Sequence, residues 1–221
     1  MLLKSALSAL ADPADAKAVG AVLDITSPVA LKHLRNQMQA SPDGRAVLEQ
    51  RPLPPNSKDP DFEALKKLPK STFGGSFHSF MVEHGFSPEG RPAVRYVDDE
   101  ELAYVLLRYR LSHDYYHALL GLPPTVAGEL VLKAVEALEF GLGGAALQAA
   151  LGASGGAGLV TKGEREELRE VFLPWVVRGH ARRRGMESLL CVRWEEEWGT
   201  DIGELRERLG IEPAPEFEKR G

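Results

Sequence analysis

EELAYVLLRYRLSHDYYHALL, residues 100–120, is followed by the break GLPPT at 121–125 and by VAGELVLKAVEALEF at 126–140. In the first segment Leu102, Leu106, Tyr109, His113, Tyr116 and Leu120 recur at spacings of three and four, the period of one helical face. Asp98 or Asp99 supplies an N-cap. Gly121 and the two prolines must end the helix, and Thr125 can cap a second one running from Val126 to about Leu151. Two long helices joined by so short a turn pack nearly antiparallel.

Outward from this hairpin the pattern stays helical, divided by proline and glycine, and almost nothing alternates with period two. Towards the N-terminus the sequence predicts a helix over Ser27–Gln39 with Pro28 in its first turn. A turn at Ser41–Arg45 follows, then an extended connection at Arg51–Asn56, where prolines deny backbone donors. A short helix is expected over Asp61–Lys67, another carries Phe77, Phe80 and Met81, and Gly85–Pro92 is a loop. Towards the C-terminus, Gly152–Gly158 is a flexible connector without the Gly-Lys-Ser/Thr ending of a phosphate-binding loop. Helices are expected over Glu164–Val177, Glu187–Trp198 and Asp201–Leu209. The expectation is an all-α fold, a single compact helical domain built around the long antiparallel hairpin. It divides into an N-terminal segment (1–26), a helical metal-binding domain (27–211) and a loose tail (212–221).

Composition narrows the function. The chain carries 27 basic and 32 acidic residues, which gives a nucleic-acid role no support. Its single cysteine, Cys191, excludes an intramolecular disulfide and fits a reducing compartment. No apolar run approaches the roughly 20 residues that span a bilayer. The N-terminal stretch has no arginine before Arg35 and lacks the features of a transit or signal peptide. The expected location is therefore cytoplasmic.

His113 and His117, four apart, project from one helical face, and neutral imidazole is the commonest protein metal ligand. Glu129 opens the next helix, so the hairpin brings its carboxylate to their level. Asp114 points about 100° away from His113 and is either a further ligand or a group orienting a histidine. Two histidines with one or two carboxylates suit zinc in an open site, or non-haem iron. The plain alternative is that His113 donates to a neighbouring carbonyl or carboxylate and Glu129 is solvated.

The chain also resembles the coenzyme Q biosynthesis protein four family from about Leu31 to Ile211. The resemblance is carried by Asp43-Gly-Arg45, Thr72-Phe-Gly74, Phe86-Ser-Pro88, the run Val97–Val105, His113-Asp-Tyr-Tyr-His117, Gly121–Thr125, Gly128-Glu129, Lys133, Glu136, Pro174-Trp175 and Trp194-Glu-Glu196. The chain departs from the family pattern at Cys191 and Arg193. The resemblance implies an all-helical fold with His113, Asp114, His117 and Glu129 as zinc ligands and as the catalytic set. It further implies removal of the ring carboxylate from a polyprenylated 4-hydroxybenzoate-derived precursor, with oxidative replacement by hydroxyl in some accounts. A lipid-binding scaffold that gathers other quinone-biosynthesis enzymes, peripherally at the inner face of a membrane and with room for a homodimer, is the alternative it implies.

For such chemistry Tyr109, Tyr115 or Tyr116 could orient the ring or donate a proton. Leu102, Leu106, Leu130, Ala134 and Leu138 are candidates to line a groove for the polyprenyl tail, or plain helix-packing core. Arg178, Arg182, Arg183 and Arg184 form the one dense basic cluster, either a solvated face or a contact for anionic lipid. Trp175, Trp194 and Trp198 fit core or interface equally. A metal phosphohydrolase using His84, His113-Asp114 and Asp201 is a remote alternative, because it leaves His117 and Glu129 unused. Cys191, in an apolar stretch, reads as a small core residue rather than a nucleophile.

Overall fold

A computed structural model describes residues 28–53, 60–87, 94–95, 97–142 and 160–218. The described residues form helices and turns with no strand, only an isolated bridge between Thr72 and Asp201. The all-α expectation holds, and none of the described helices is long and apolar enough to cross a membrane.

The first three described helices are α1 (Pro28–Ala40), α2 (Pro42–Gln50) and α3 (Pro60–Leu65). Leu31, Leu34 and Met38 turn the inner face of α1 into the core. The turn expected at Ser41–Arg45 is instead the start of α2. The Ser41 hydroxyl accepts the Gly44 N–H at 3.0 Å and Pro42 occupies the first turn, the capping pattern that favours helix initiation. Helix α4 (Phe73–Glu83) is capped by Thr72, and its Phe73, Phe77, Phe80 and Met81 are buried.

Helix α5 (Glu100–Leu120) is the centre, with sixteen of its 21 residues buried, too many for a surface helix with one apolar stripe. Packed around it are α1, α2, α4 and the short turn at Leu189–Cys191. Asp99 caps it by accepting the Leu102 N–H, and Gly121 closes it at φ +73°, a conformation costly for any residue with a Cβ. The chain then reverses through Pro123 and Pro124 into α6 (Val126–Phe140), capped by Thr125. A Cβ on Gly128 would strike the Pro123 carbonyl, so the glycine lets the first turn of α6 tuck under the proline turn and fixes where Glu129 emerges. Helix α6 ends at Phe140, not near Leu151: Gly141, at φ +64°, returns its N–H to Ala137 and terminates the ladder. The connector expected at 152–158 lies outside the described residues.

The helix expected over Glu164–Val177 is longer and interrupted. It comprises α7 (Lys162–Glu167), a π-turn at Leu168–Phe172 and α8 (Leu173–Arg183). The Leu173 N–H reaches back to Leu168, and Pro174 next to it has no N–H to restore the normal ladder. Residues 187–198 are not a helix but two 3₁₀ turns, Leu189–Cys191 and Trp194–Glu196. The buried Arg108 guanidinium takes the Leu190 and Val192 carbonyls at 2.9 and 2.5 Å, so these oxygens serve a side chain of α5 instead of a local helix. Helix α9 (Ile202–Arg208) is capped by Asp201.

The tail is not loose over its described part. Ala214 donates to the Leu120 carbonyl at 2.7 Å, Phe217 stacks on Phe172 at 4.1 Å, and Glu218 donates to Glu167 at 2.7 Å. A carbonyl left free at the end of α5 gives the tail a hydrogen-bond partner, and the aromatic pair anchors it.

Candidate metal centre

Helices α5 and α6 are joined by side chains in antiparallel register. Tyr109 donates to Glu136 at 2.6 Å, His113 meets both Glu136 and Glu129, and His117 meets Glu129. His113, His117 and Glu129 each place a potential ligand atom within 4.8 Å of the others. Both histidines are buried, whereas the Glu129 side chain is 40% exposed, so the group opens to solvent on its carboxylate side. Asp114 is also buried, but it is not among the donors that share this span. One step along a helix turns a side chain by about 100°, which accounts for its separation from the other three.

The proton positions follow from the partners. His117 Nδ1 lies 3.0 Å from the Leu122 carbonyl, which can only accept, so Nδ1 carries the hydrogen. His113 Nδ1 lies 2.6 Å from Glu136 Oε1, and that carboxyl is ionised. Burial opposes its charge, but Lys133 and His113 bring its pKa down to about 2. In the neutral imidazoles both Nε2 atoms are therefore lone-pair donors, and both face Glu129, at 3.2 Å from His113 and 3.0 Å from His117. Two ring nitrogens and the two Glu129 oxygens then converge with no hydrogen between them, an arrangement that a cation stabilises. Donors around a tetrahedral zinc with bonds of about 2.1 Å lie roughly 3.4 Å apart, so small side-chain adjustments suffice for the fit. Without a cation, protonation serves instead. Burial and Lys133 push the His113 pKa down, but the Glu136 and Glu129 carboxylates prevail and raise it. Burial likewise opposes ionisation of Glu129, yet His113 and His117 hold its carboxyl well below the usual range.

Behind His113 is a fully satisfied polar layer. Glu136, completely buried, accepts from His113 on one oxygen and from Tyr109 and the Lys133 ammonium (2.7 Å) on the other. Such outer partners fix the tautomer and orientation of a ligating histidine.

The model of the Coenzyme Q (ubiquinone) biosynthesis protein Coq4 family matches residues 1–215. The chain belongs to this family. It is 39% identical over 212 residues to the mitochondrial ubiquinone biosynthesis protein COQ4 homolog of Aedes aegypti, covering 94% of this chain and 73% of the relative. Against the mitochondrial COQ4 protein of Arthroderma otae it is 41% identical over 219 residues, covering 98% and 78%. A crystal structure of a Nostoc punctiforme protein, provisionally described as acting in ubiquinone biosynthesis, superposes with a TM-score of 0.72 at 22% identity over 94% of this chain and 95% of that one. That likeness concerns the fold alone.

Within this Coq4-family chain the other candidates separate clearly. Of the three tyrosines, Tyr109 joins the network at Glu136, Tyr115 packs among Phe73, Phe77 and Trp198, and Tyr116 packs on Phe140 and Trp194. Leu102 and Leu106 are buried core, while Leu130, Ala134 and Leu138 line a cavity of about 800 Å³ between α6 and the α7–α8 segment. The arginine cluster is not one patch, since Arg183 forks onto Glu139 and Arg182 pairs with Glu212. Trp175 and Trp194 are core, and Trp198 stacks on Phe73. Asp201 is spent capping α9, which removes it from a phosphohydrolase set. Cys191 is buried, and burial with the nearby Glu187 charge pushes its thiol up to about 11, as suits an inert core residue. The Leu122 carbonyl carries no signal in the sequence, but Lys133 and Glu136 do. They follow Glu129 by four and seven residues and so share its helical face.

Proposed function

We propose that this Coq4-family chain acts in ubiquinone biosynthesis by metal-dependent removal of the C1 carboxylate from a polyprenylated 4-hydroxybenzoate-derived precursor. The observation that carries this reading is the convergence of two lone-pair Nε2 atoms and the Glu129 carboxylate, with both Nδ1 atoms already committed to Leu122 and Glu136. Zinc suits the donor set, and iron is the second choice. Bound there, a divalent cation supplies Lewis acidity towards a carboxylate or phenol oxygen.

The chain's own groups do the positioning. Glu136 keeps the proton on His113 Nδ1, Lys133 balances the buried negative charge, and the Tyr109 hydroxyl holds the second Glu136 oxygen. Tyr109 is thus the tyrosine assigned to the site. Asp114, which the family pattern counts as a fourth ligand, is proposed here to support the histidines from their buried side. The cavity along Leu130, Ala134 and Leu138 is proposed to take the polyprenyl tail. Incubating the metal-loaded chain with a prenylated 4-hydroxybenzoate-derived acid should release carbon dioxide, and Glu129→Ala should not. No release from the metal-loaded wild type would overturn the reading.

The size and apolar lining of that cavity favour a second reading, a prenyl-lipid-binding scaffold that gathers quinone-biosynthesis enzymes peripherally at the inner face of a membrane. It predicts copurified isoprenoid and partner enzymes without turnover. The curated relatives are named mitochondrial. The corresponding address for this chain is the membrane face where its quinone precursors reside.

A further inference from the structure

The proposed chemistry leaves one group of side chains at the centre unused. Phe80 of α4 lies over the His117 imidazole, centroids 5.2 Å apart and planes within 14° of parallel. His84 rests against Phe80 at 5.0 Å, and Phe86 is 5.9 Å from each of them. The backbone fixes this triangle: the His84 N–H returns to Phe80 and the Phe86 N–H to Met81, at 3.2 and 2.8 Å. Both outer rings stay in reach of solvent, with His84 exposed and Phe86 at 43% exposure. An unbroken series of ring contacts, stacked at His117 and edge-on or tilted beyond Phe80, therefore leads from a candidate ligand imidazole to the surface, beside a carboxylate that is itself part-open.

We propose that Phe80, His84 and Phe86 seat the aromatic ring of a hydroxyaryl carboxylate whose acid group is held at His113, His117 and Glu129. This deepens the function proposed above and rests on it. Aromatic pairs prefer offset or edge-on contacts at centroid separations of about 4.5–7 Å, and the triangle offers exposed faces and edges suited to either arrangement. A saturated ring of equal bulk gains the apolar area but not the quadrupole match, so the seat discriminates by ring chemistry as well as size. Phe80 links the seat to the centre because the same ring touches His117, His84 and Phe86.

The test uses the full chain loaded with zinc. Its two probes are 4-hydroxybenzoate bearing one short 3-prenyl chain and the cyclohexanecarboxylate with the same substituents, both measured by calorimetry. Phe86→Leu and His84→Leu keep apolar bulk and remove the ring. Each should weaken the aryl acid about threefold to tenfold, the range of one aromatic contact. The saturated acid should change less than about twofold, as expected where only area is conserved. Zinc content should stay at the wild-type level. Equal weakening of both acids, or none, overturns the ring seat and leaves the metal-centred reading standing. Failure of the zinc-loaded wild type to bind either acid overturns both.

Discussion

Helix α6 presents two different surfaces on opposite sides of one rod. Glu129, Lys133 and Glu136 face α5, and their polar atoms are tied to His113, His117 and Tyr109. Leu130, Ala134 and Leu138 face the α7–α8 segment and border about 800 Å³ of open volume. The polar side is closely packed, its Glu136 layer is satisfied and its His113–His117–Glu129 end is arranged for a cation, so it can hold charge in a fixed geometry at little reorganisation cost. Among the described residues the apolar side borders open space, and it can select only by shape and area. On the proposed function, one helix divides recognition into a charged head end and a greasy tail end, and each can be broken without the other.

The largest effect belongs to the proposed ligands. Glu129→Ala and His117→Ala should lower zinc affinity by more than about 100-fold, beyond the 10–100-fold carried by outer partners. Competition with a chelator measures this, and circular dichroism should show the helices retained. Glu136→Gln comes next, with about 10–100-fold weaker zinc binding and unchanged metal stoichiometry at saturation.

The same substitution sharpens the electrostatics of the metal-free chain. Glu136 is depressed from 4.5 to about 2 in the folded state. Its charge therefore contributes stability that is full above pH 4.5 and lost as the pH falls towards 2. The stability gap between wild type and Glu136→Gln, from denaturant midpoints, should shrink across that window.

On the other face, Ala134→Trp should narrow the cavity and weaken a prenylated acid by at least about tenfold, given ~0.8 kcal/mol per displaced methylene. Its zinc affinity should match wild type. The smallest effect is expected at the surface: Arg182→Ala, an exposed pair with Glu212, should change stability by less than about 1 kcal/mol and leave zinc and ligand binding alone.

Helix α5 was legible to the residue because its caps, Asp99 and Gly121, stand beside an unbroken three–four pattern. The end of α6 was not, since Gly141 stops the helix inside a glycine–alanine run that reads as continuing it. Residues 187–198 were misread for a non-local reason: Arg108, some 80 positions earlier, claims the Leu190 and Val192 carbonyls. At Ser41-Pro42 the local signal is present, because the residues that make a turn also cap a helix. Prolines in the tail mark irregular backbone without saying whether it docks, so its contacts with Leu120 and Phe172 carry no sequence signal. The convergence of His113, His117 and Glu129 is legible in their spacing, while their role is not. Whether Asp114 joined them depended on which way α5 is rotated, and only the packed hairpin fixes that.

The most direct measurement is the tautomer of the two histidines by long-range nitrogen–proton NMR, followed as zinc is added. With zinc, His113 and His117 should both carry hydrogen on Nδ1, and both Nε2 resonances should shift together at one equivalent. Hydrogen remaining on either Nε2 at saturating zinc, or an unchanged pair of Nε2 signals, would contradict a cation held between them and Glu129.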